Sequence, residues 1–171
     1  MITLGKEAYD LVKQIEKDIP SLYVPPSAGT TPKYQMVLPF SVVRNTRGYI
    51  EKVVNQINGC YEKGWYDGCA VMMRRLIETL IIECFEYHNI AHKIQNNSGD
   101  FYYLKDLIAK TLAENIWNLG RNTKKALPKL KDIGDQSAHS RRFIAHREDI
   151  DKVIGDFRTV VQELVFLSNL K

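Results

Sequence analysis

Residues 67–88 read DGCAVMMRRLIETLIIECFEYH, and this run decides the fold class. Plotted at about 100° per residue, Cys69, Ala70, Met73, Leu76, Ile77, Leu80, Ile81 and Cys84 form one wide apolar arc. Val71, Ile82 and Phe85 lie on the opposite side, which predicts a helix covered on two faces. Arg75, Thr79, Glu83 and Glu86 make a narrow stripe left for water, while Arg74 and Glu78 sit partly indoors among Val71, Ile81 and Phe85. A helix this apolar needs several neighbours.

The flanking segments supply them. Val43, Ile50, Val53, Val54, Ile57 and Tyr61 predict a helix from about Val42 to Lys63. The short Gly64–Trp65 connection then demands an antiparallel hairpin with the central helix, whose N-cap is expected at Asp67. After a polar loop over 89–100, Ser98 or Asp100 is expected to cap a helix that starts near Phe101 and carries Tyr103, Leu104, Leu107, Ile108 and Leu112. The stretch ENIWNLGRN reads as an irregular break with Gly120 as a stop signal. A further helix is predicted over 123–138, where Pro128 fits best near the start and poorly at the middle. The last helix, 148–169, is strongly periodic from Ile150 to Leu167 and opens with the acids its dipole prefers. Upstream, Ala8, Leu11, Val12 and Ile15 predict an amphipathic helix over 3–18, ended by Pro20. A proline-rich loop over 19–33 follows, then a short apolar segment, Tyr34–Phe40, expected to lie extended on the helices. There is no internal repeat and no second domain. The expectation is all-α: an N-terminal helix and arm over 1–40, and a bundle of four to five principal helices over 41–171.

A chain of 171 residues is long enough for one domain with a real core, and 44% hydrophobic and 26% charged residues are ordinary for a globular protein. No apolar run approaches the roughly 20 residues of a membrane span, and MITLGKEAYD lacks a secretory pattern, so no membrane partner is expected. Cys60, Cys69 and Cys84 are an odd number, read as reduced core residues of a cytoplasmic protein. A net charge of +4 and a pI near 8.9 are compatible with nucleic acid without pointing to it.

No Walker loop, HExxH, CxxC or GxSxG is present. The chemistry-bearing segment is KDIGDQSAHSRRFIAHR, residues 131–147. It holds His139 and His146, Asp132 and Asp135, and the cations Lys131, Arg141, Arg142 and Arg147. The two histidines share a face only if one helix runs through both; SRRFIAHRED breaks it, so no metal or other cofactor is expected. With Arg121, Lys124, Lys125 and Lys129, residues 121–147 carry eight Lys/Arg against two acids. Such clustering attracts a polyanion, the plain alternative being a solvated helix face. Histidine beside arginine is also the minimum equipment for metal-independent RNA cleavage: one moves the 2′-hydroxyl proton, the other holds the scissile phosphate.

Two blocks, GCAVMMRRLIETLI at 68–81 and LKDIGDQSAH at 130–139, resemble the HEPN-like superfamily of small helical domains. The nearest likeness is to an uncharacterised bacterial branch with a Gly-Asn-x-Ala-Ala-His-type motif, and it spans roughly residues 42–169. The resemblance implies a bundle that pairs into homodimers. In ribonuclease members an Arg, a polar residue and, a few positions on, a His from each copy meet at a cleft. Here the His becomes His139, the polar residue Asp135, and the Arg position Gly134, so the phosphate-binding arginine is missing from its place. Arg141 and His146 form a literal R-x4-H further on, and Arg74 is another source of a guanidinium. A partly buried Arg74 needs a partner, either Glu78 on its own helix or Asp135 across the bundle. For His139 the plain alternative is a helix-end histidine bonding to backbone.

The leading expectation is a homodimeric HEPN-like protein of bacterial stress or phage defence that binds RNA or a nucleotide-containing partner. His139 and the basic 121–147 region, with Lys131, Asp135, Arg142 and Arg147, would line its cleft. One alternative is a toxin-like endoribonuclease, with His139 or His146 as acid/base and Arg141, Arg142 or Arg74 on the phosphate. The other is a non-enzymatic dimerising module that docks an antitoxin-like protein.

Overall fold

The computed structural model describes residues 4–18 and 36–171. Six α-helices account for most of them: α1 (Leu4–Asp18), α2 (Gly48–Glu62), α3 (Tyr66–Tyr87), α4 (Leu104–Ala113), α5 (Arg121–His139) and α6 (Arg147–Leu167). Among the described residues there is no strand, only an isolated antiparallel bridge between Gln95 and Phe101. The expected proline-rich loop over 19–33 lies outside the described residues.

The centre is α3, which packs against α2, α4, α5 and α6. All eight residues of its predicted apolar arc are fully buried, and so is Phe85 on the other side. Glu83 departs from the expected solvent stripe, being only 6% exposed. The start of α2 covers it: Arg47 Nε donates to its Oε2 at 2.8 Å, and the Tyr49 hydroxyl donates to Oε1. A buried carboxylate is tolerable only with such partners. Burial, reinforced by the bond to Glu83, pushes the Tyr49 phenol up to about 12.

The α2–α3 hairpin closes as its short connection demands. Gly64 takes φ 75°, and the Trp65 and Gly64 amides donate back to the Cys60 and Tyr61 carbonyls at 2.8 and 3.2 Å. Asp67 is not the cap of α3. The helix starts at Tyr66 with Trp65 as N-cap, and the Asp67 carboxylate instead accepts the Ala145 amide at 3.0 Å, just before α6. The start of α2 is also later than the apolar stripe suggests. Phe40–Val42 is a single 3-10 turn, and Asn45 at φ 67° interrupts the helix path, its amide held by Glu51 at 2.8 Å. Likewise α4 starts at Leu104, not Phe101. Neither Ser98 nor Asp100 caps it: the N-cap is Tyr103, the Asp100 carboxylate accepts from the Asn96 side-chain amide at 3.2 Å, and Phe101 is paired extended with Gln95.

Pro128 sits well inside α5, contrary to the expectation that it would mark the start. It lies on an exposed face, where the Lys124 carbonyl that loses its helical partner is not sealed in the core. Upstream of α2, Val37 and Leu38 belong to the core. The Asn58 amide clamps Leu38 on both sides, accepting its N–H at 3.1 Å and donating to its carbonyl at 2.9 Å. Arg158 of α6 donates to the carbonyls of Val37, at 2.8 Å, and of Met36.

Candidate functional site

The site is built where α5 crosses α3. The crossing point is Gly134: a Cβ added there would lie 2.6 Å from Arg74 Cβ, 3.0 Å from Arg74 Cδ and 3.2 Å from the Ala70 carbonyl oxygen. No side chain fits. The position to which the resemblance assigns an arginine is filled by the stem of Arg74, and only glycine lets the two helices approach this closely.

Arg74 finds both partners that its partial burial calls for. Its Nε donates to Asp135 Oδ1 at 2.6 Å, and a terminal nitrogen reaches Glu78 at 3.5 Å. Lys131 Nζ donates to the other oxygen of Asp135, also at 2.6 Å. Burial pushes the Asp135 carboxyl up, but the bonds from Lys131 and Arg74 outweigh it and hold the group below its ordinary range. A depressed folded-state value means stability that is present above the unfolded carboxyl range and is lost as pH falls through the folded value. Asp135→Asn is therefore expected to cost about 1 kcal/mol at neutral pH, the modest size reflecting partial exposure. Urea midpoints should show that gap closing below about pH 4; a gap that persists in acid would remove the ion pair as its cause.

His139 is the last residue of α5, one turn beyond Asp135 and exposed. It makes no hydrogen bond or ion pair among the described residues, and the backbone bond at the helix end belongs to Ser140, whose N–H donates to Gln136 at 3.0 Å. The turn that follows is braced at both ends. Ser140 Oγ accepts the Phe143 amide at 3.2 Å, and Asp67 holds Ala145. Between the braces Arg141 and Arg142 are exposed and carry no ion pair among the described residues.

His146 is set apart from this group. It is the N-cap of α6, its amide donating to Asp149 at 3.1 Å with the imidazole 3.7 Å from the same carboxylate. That backbone bond, with Lys152 adding its charge, holds Asp149 below the ordinary carboxyl range. The R-x4-H of Arg141 and His146 therefore straddles a loop, and His146 starts a helix there. Arg147 turns away as well: its Nε donates to the Tyr61 hydroxyl at 3.2 Å and lies 3.6 Å from Asp151, whose carboxylate takes the Tyr61 proton donor.

The basic segment is thus not one surface. Lys129 pairs with Asp156, Lys131 with Asp132 and Asp135, and Arg147 with Asp151. Without an ion pair among the described residues are Arg121, Lys124 and Lys125 at the start of α5 and Arg141 and Arg142 past its end. At about 1.5 Å per residue, roughly 21 Å of helix separates Lys125 from the end of α5, where the second group begins. Beside the second group a groove of about 340 Å³ opens between α5 and α6, floored by Ile133, Phe143 and Val153 and rimmed by Asp132 and Lys152.

No protein-family model, curated protein or solved structure matches this chain.

Among the described residues no group of three or more His, Cys, Asp or Glu side chains converges to hold a metal ion. The braces Asp67 and Ser140 and the floor residue Phe143 were not singled out as functional from sequence. Phe143, set between paired arginines and His146, carried the only local signal; Asp67 acts on a residue 78 positions away, which no local pattern reveals.

Proposed function

We propose that this chain is an HEPN-like RNA-binding protein of bacterial stress or defence, in which His139, Arg141 and Arg142 grip single-stranded RNA. The observation that supports this most is the braced turn at 140–145. It holds two exposed guanidiniums that no acid among the described residues neutralises, while Lys129, Lys131 and Arg147 in the same basic segment are all paired. A preformed cationic turn can take phosphates without first breaking ion pairs. The adjoining groove adds an aromatic floor, the feature on which unpaired bases stack.

Binding is favoured over cleavage. Arg74, the guanidinium nearest the position of the missing arginine, is engaged by Asp135 and Glu78, and His139 has no group orienting its ring. The test is binding of a mixed single-stranded RNA across a salt series, with EDTA present. Replacing both Arg141 and Arg142 by Ala should weaken binding and flatten the salt slope by about 1.4, the share of two phosphate contacts on a single strand. Salt-insensitive binding, or none, would sink the reading in favour of a protein-docking module. Cleavage lost in His139→Ala would replace it with a ribonuclease.

A further inference from the structure

The amphipathic α1 leaves at least Leu11 and Val12 of its apolar side uncovered. Leu4, Ala8, Leu11, Val12 and Ile15 fall within an arc of about 100° on the helical wheel. Yet Leu11 is 62% and Val12 53% exposed. The opposite face is closed on itself, the Lys13 ammonium lying 5.2 Å from the centre of the Tyr9 ring. A single helix of 15 residues is marginal in water, so one with this pattern needs a surface to pack on.

The bundle carries a matching surface. Phe166, near the end of α6, is 76% exposed. With Val42 and Val165 it lines an open groove of about 300 Å³, rimmed by Gln162 and Lys171. The chain enters the bundle beside that groove. Arg158 holds the Met36 and Val37 carbonyls, and Arg158, Gln162 and Val165 recur at helical spacing on one face of α6. From Arg158 to Phe166 is roughly 12 Å along the helix.

The tether favours the same chain as occupant. Seventeen residues, 19–35, separate α1 from Met36. They span at most about 60 Å, which confines α1 to a volume equivalent to about 2 mM or more. A second copy at micromolar concentration competes poorly with that. We propose that α1 docks through Leu11 and Val12 into the Val42–Val165–Phe166 groove of its own chain.

Hydrogen exchange on the full chain tests this. The α1 amides should be protected in the wild type, and Phe166→Asp or Leu11→Asp should each speed their exchange at least about tenfold. Tyr9→Asp, on the other face, should leave protection intact, and Leu11→Lys combined with Phe166→Asp should restore part of it. Phe166 is exposed, so the α3 amides should stay protected throughout and report that the bundle remains folded. Three outcomes would overturn the proposal: α1 amides unprotected in the wild type, protection indifferent to Phe166→Asp, or protection that fades on dilution by about a hundredfold, which would assign the groove to a second copy.

Discussion

Gly134→Arg, which places an arginine where the proposed HEPN-like reading expects one, is expected to lower stability by at least about 3 kcal/mol and to create no nuclease. The added Cβ alone meets Arg74 Cβ at 2.6 Å, and that atom is the root of a side chain, unable to swing aside. The two central helices must part, and their shared core with them. Gly134→Ala isolates the first atom of the clash. Alanine is the better helix former by about 1 kcal/mol, but a 2.6 Å contact to an immovable Cβ puts the overpacking at or above the top of its usual range, about 3 kcal/mol, which leaves a net loss of about 2 kcal/mol. For a chain of this size that lowers Tm by roughly 4–8 °C. Arg74→Ala in the same background should recover little, since it relieves the contact at Cδ and keeps the one at Cβ. A Gly134→Ala protein melting with the wild type would show that α3 and α5 do not approach as described.

Phe157→Ala is expected to be the most damaging truncation in α6, at about 3–5 kcal/mol. Phe157 is fully buried, on the face that α6 turns toward α3 and α5. Its loss removes a large apolar surface and leaves a cavity that rigid helices on several sides cannot collapse into. Against a total stability of about 5–15 kcal/mol this is a large share, and Tm should fall by roughly 10–15 °C. Phe166→Ala, nine residues on and exposed, serves as the internal control. Its effect on global melting should be small, because α3, α5 and α6 pack without it. Equal losses from the two substitutions would contradict the assignment of Phe157 to the core and Phe166 to the surface.

Helical periodicity carried most of the fold. The runs from Cys69 to Cys84 and from Ile150 to Leu167 each have a three-to-four-residue repeat too long for a strand, and both became helices within two residues of the expected ends. Element ends were read less well wherever a side chain had two available partners. Asp67 and Asp100 both looked like caps, since a carboxylate before an apolar run normally satisfies free amides of the helix it precedes. The Asp67 carboxylate went instead to the Ala145 amide, and that of Asp100 to the Asn96 side-chain amide.

The candidate site divides the same way. That Arg74 needs a carboxylate follows from its place among apolar residues, and the sequence narrowed the choice to Glu78 and Asp135. The identity of the chemistry-bearing segment was legible too, because unlike residue types crowd into residues 131–147. Which cations of the basic 121–147 region are free was not. Pairing depends on distances across helices, and Asp156 and Asp151 of α6 neutralise Lys129 and Arg147 from outside the segment.

By itself, then, the sequence determined the number, type and inward face of the helices, since spacing along the chain places residues around a helix axis. Only the tertiary structure decided that Gly134 is the seat of Arg74, that Glu83 is sealed beneath Arg47 and Tyr49, and that Arg141 and Arg142 stand on a braced turn without an ion pair among the described residues. Each of these depends on which helix faces which, a matter of packing between residues far apart in the chain, which periodicity along one segment does not encode.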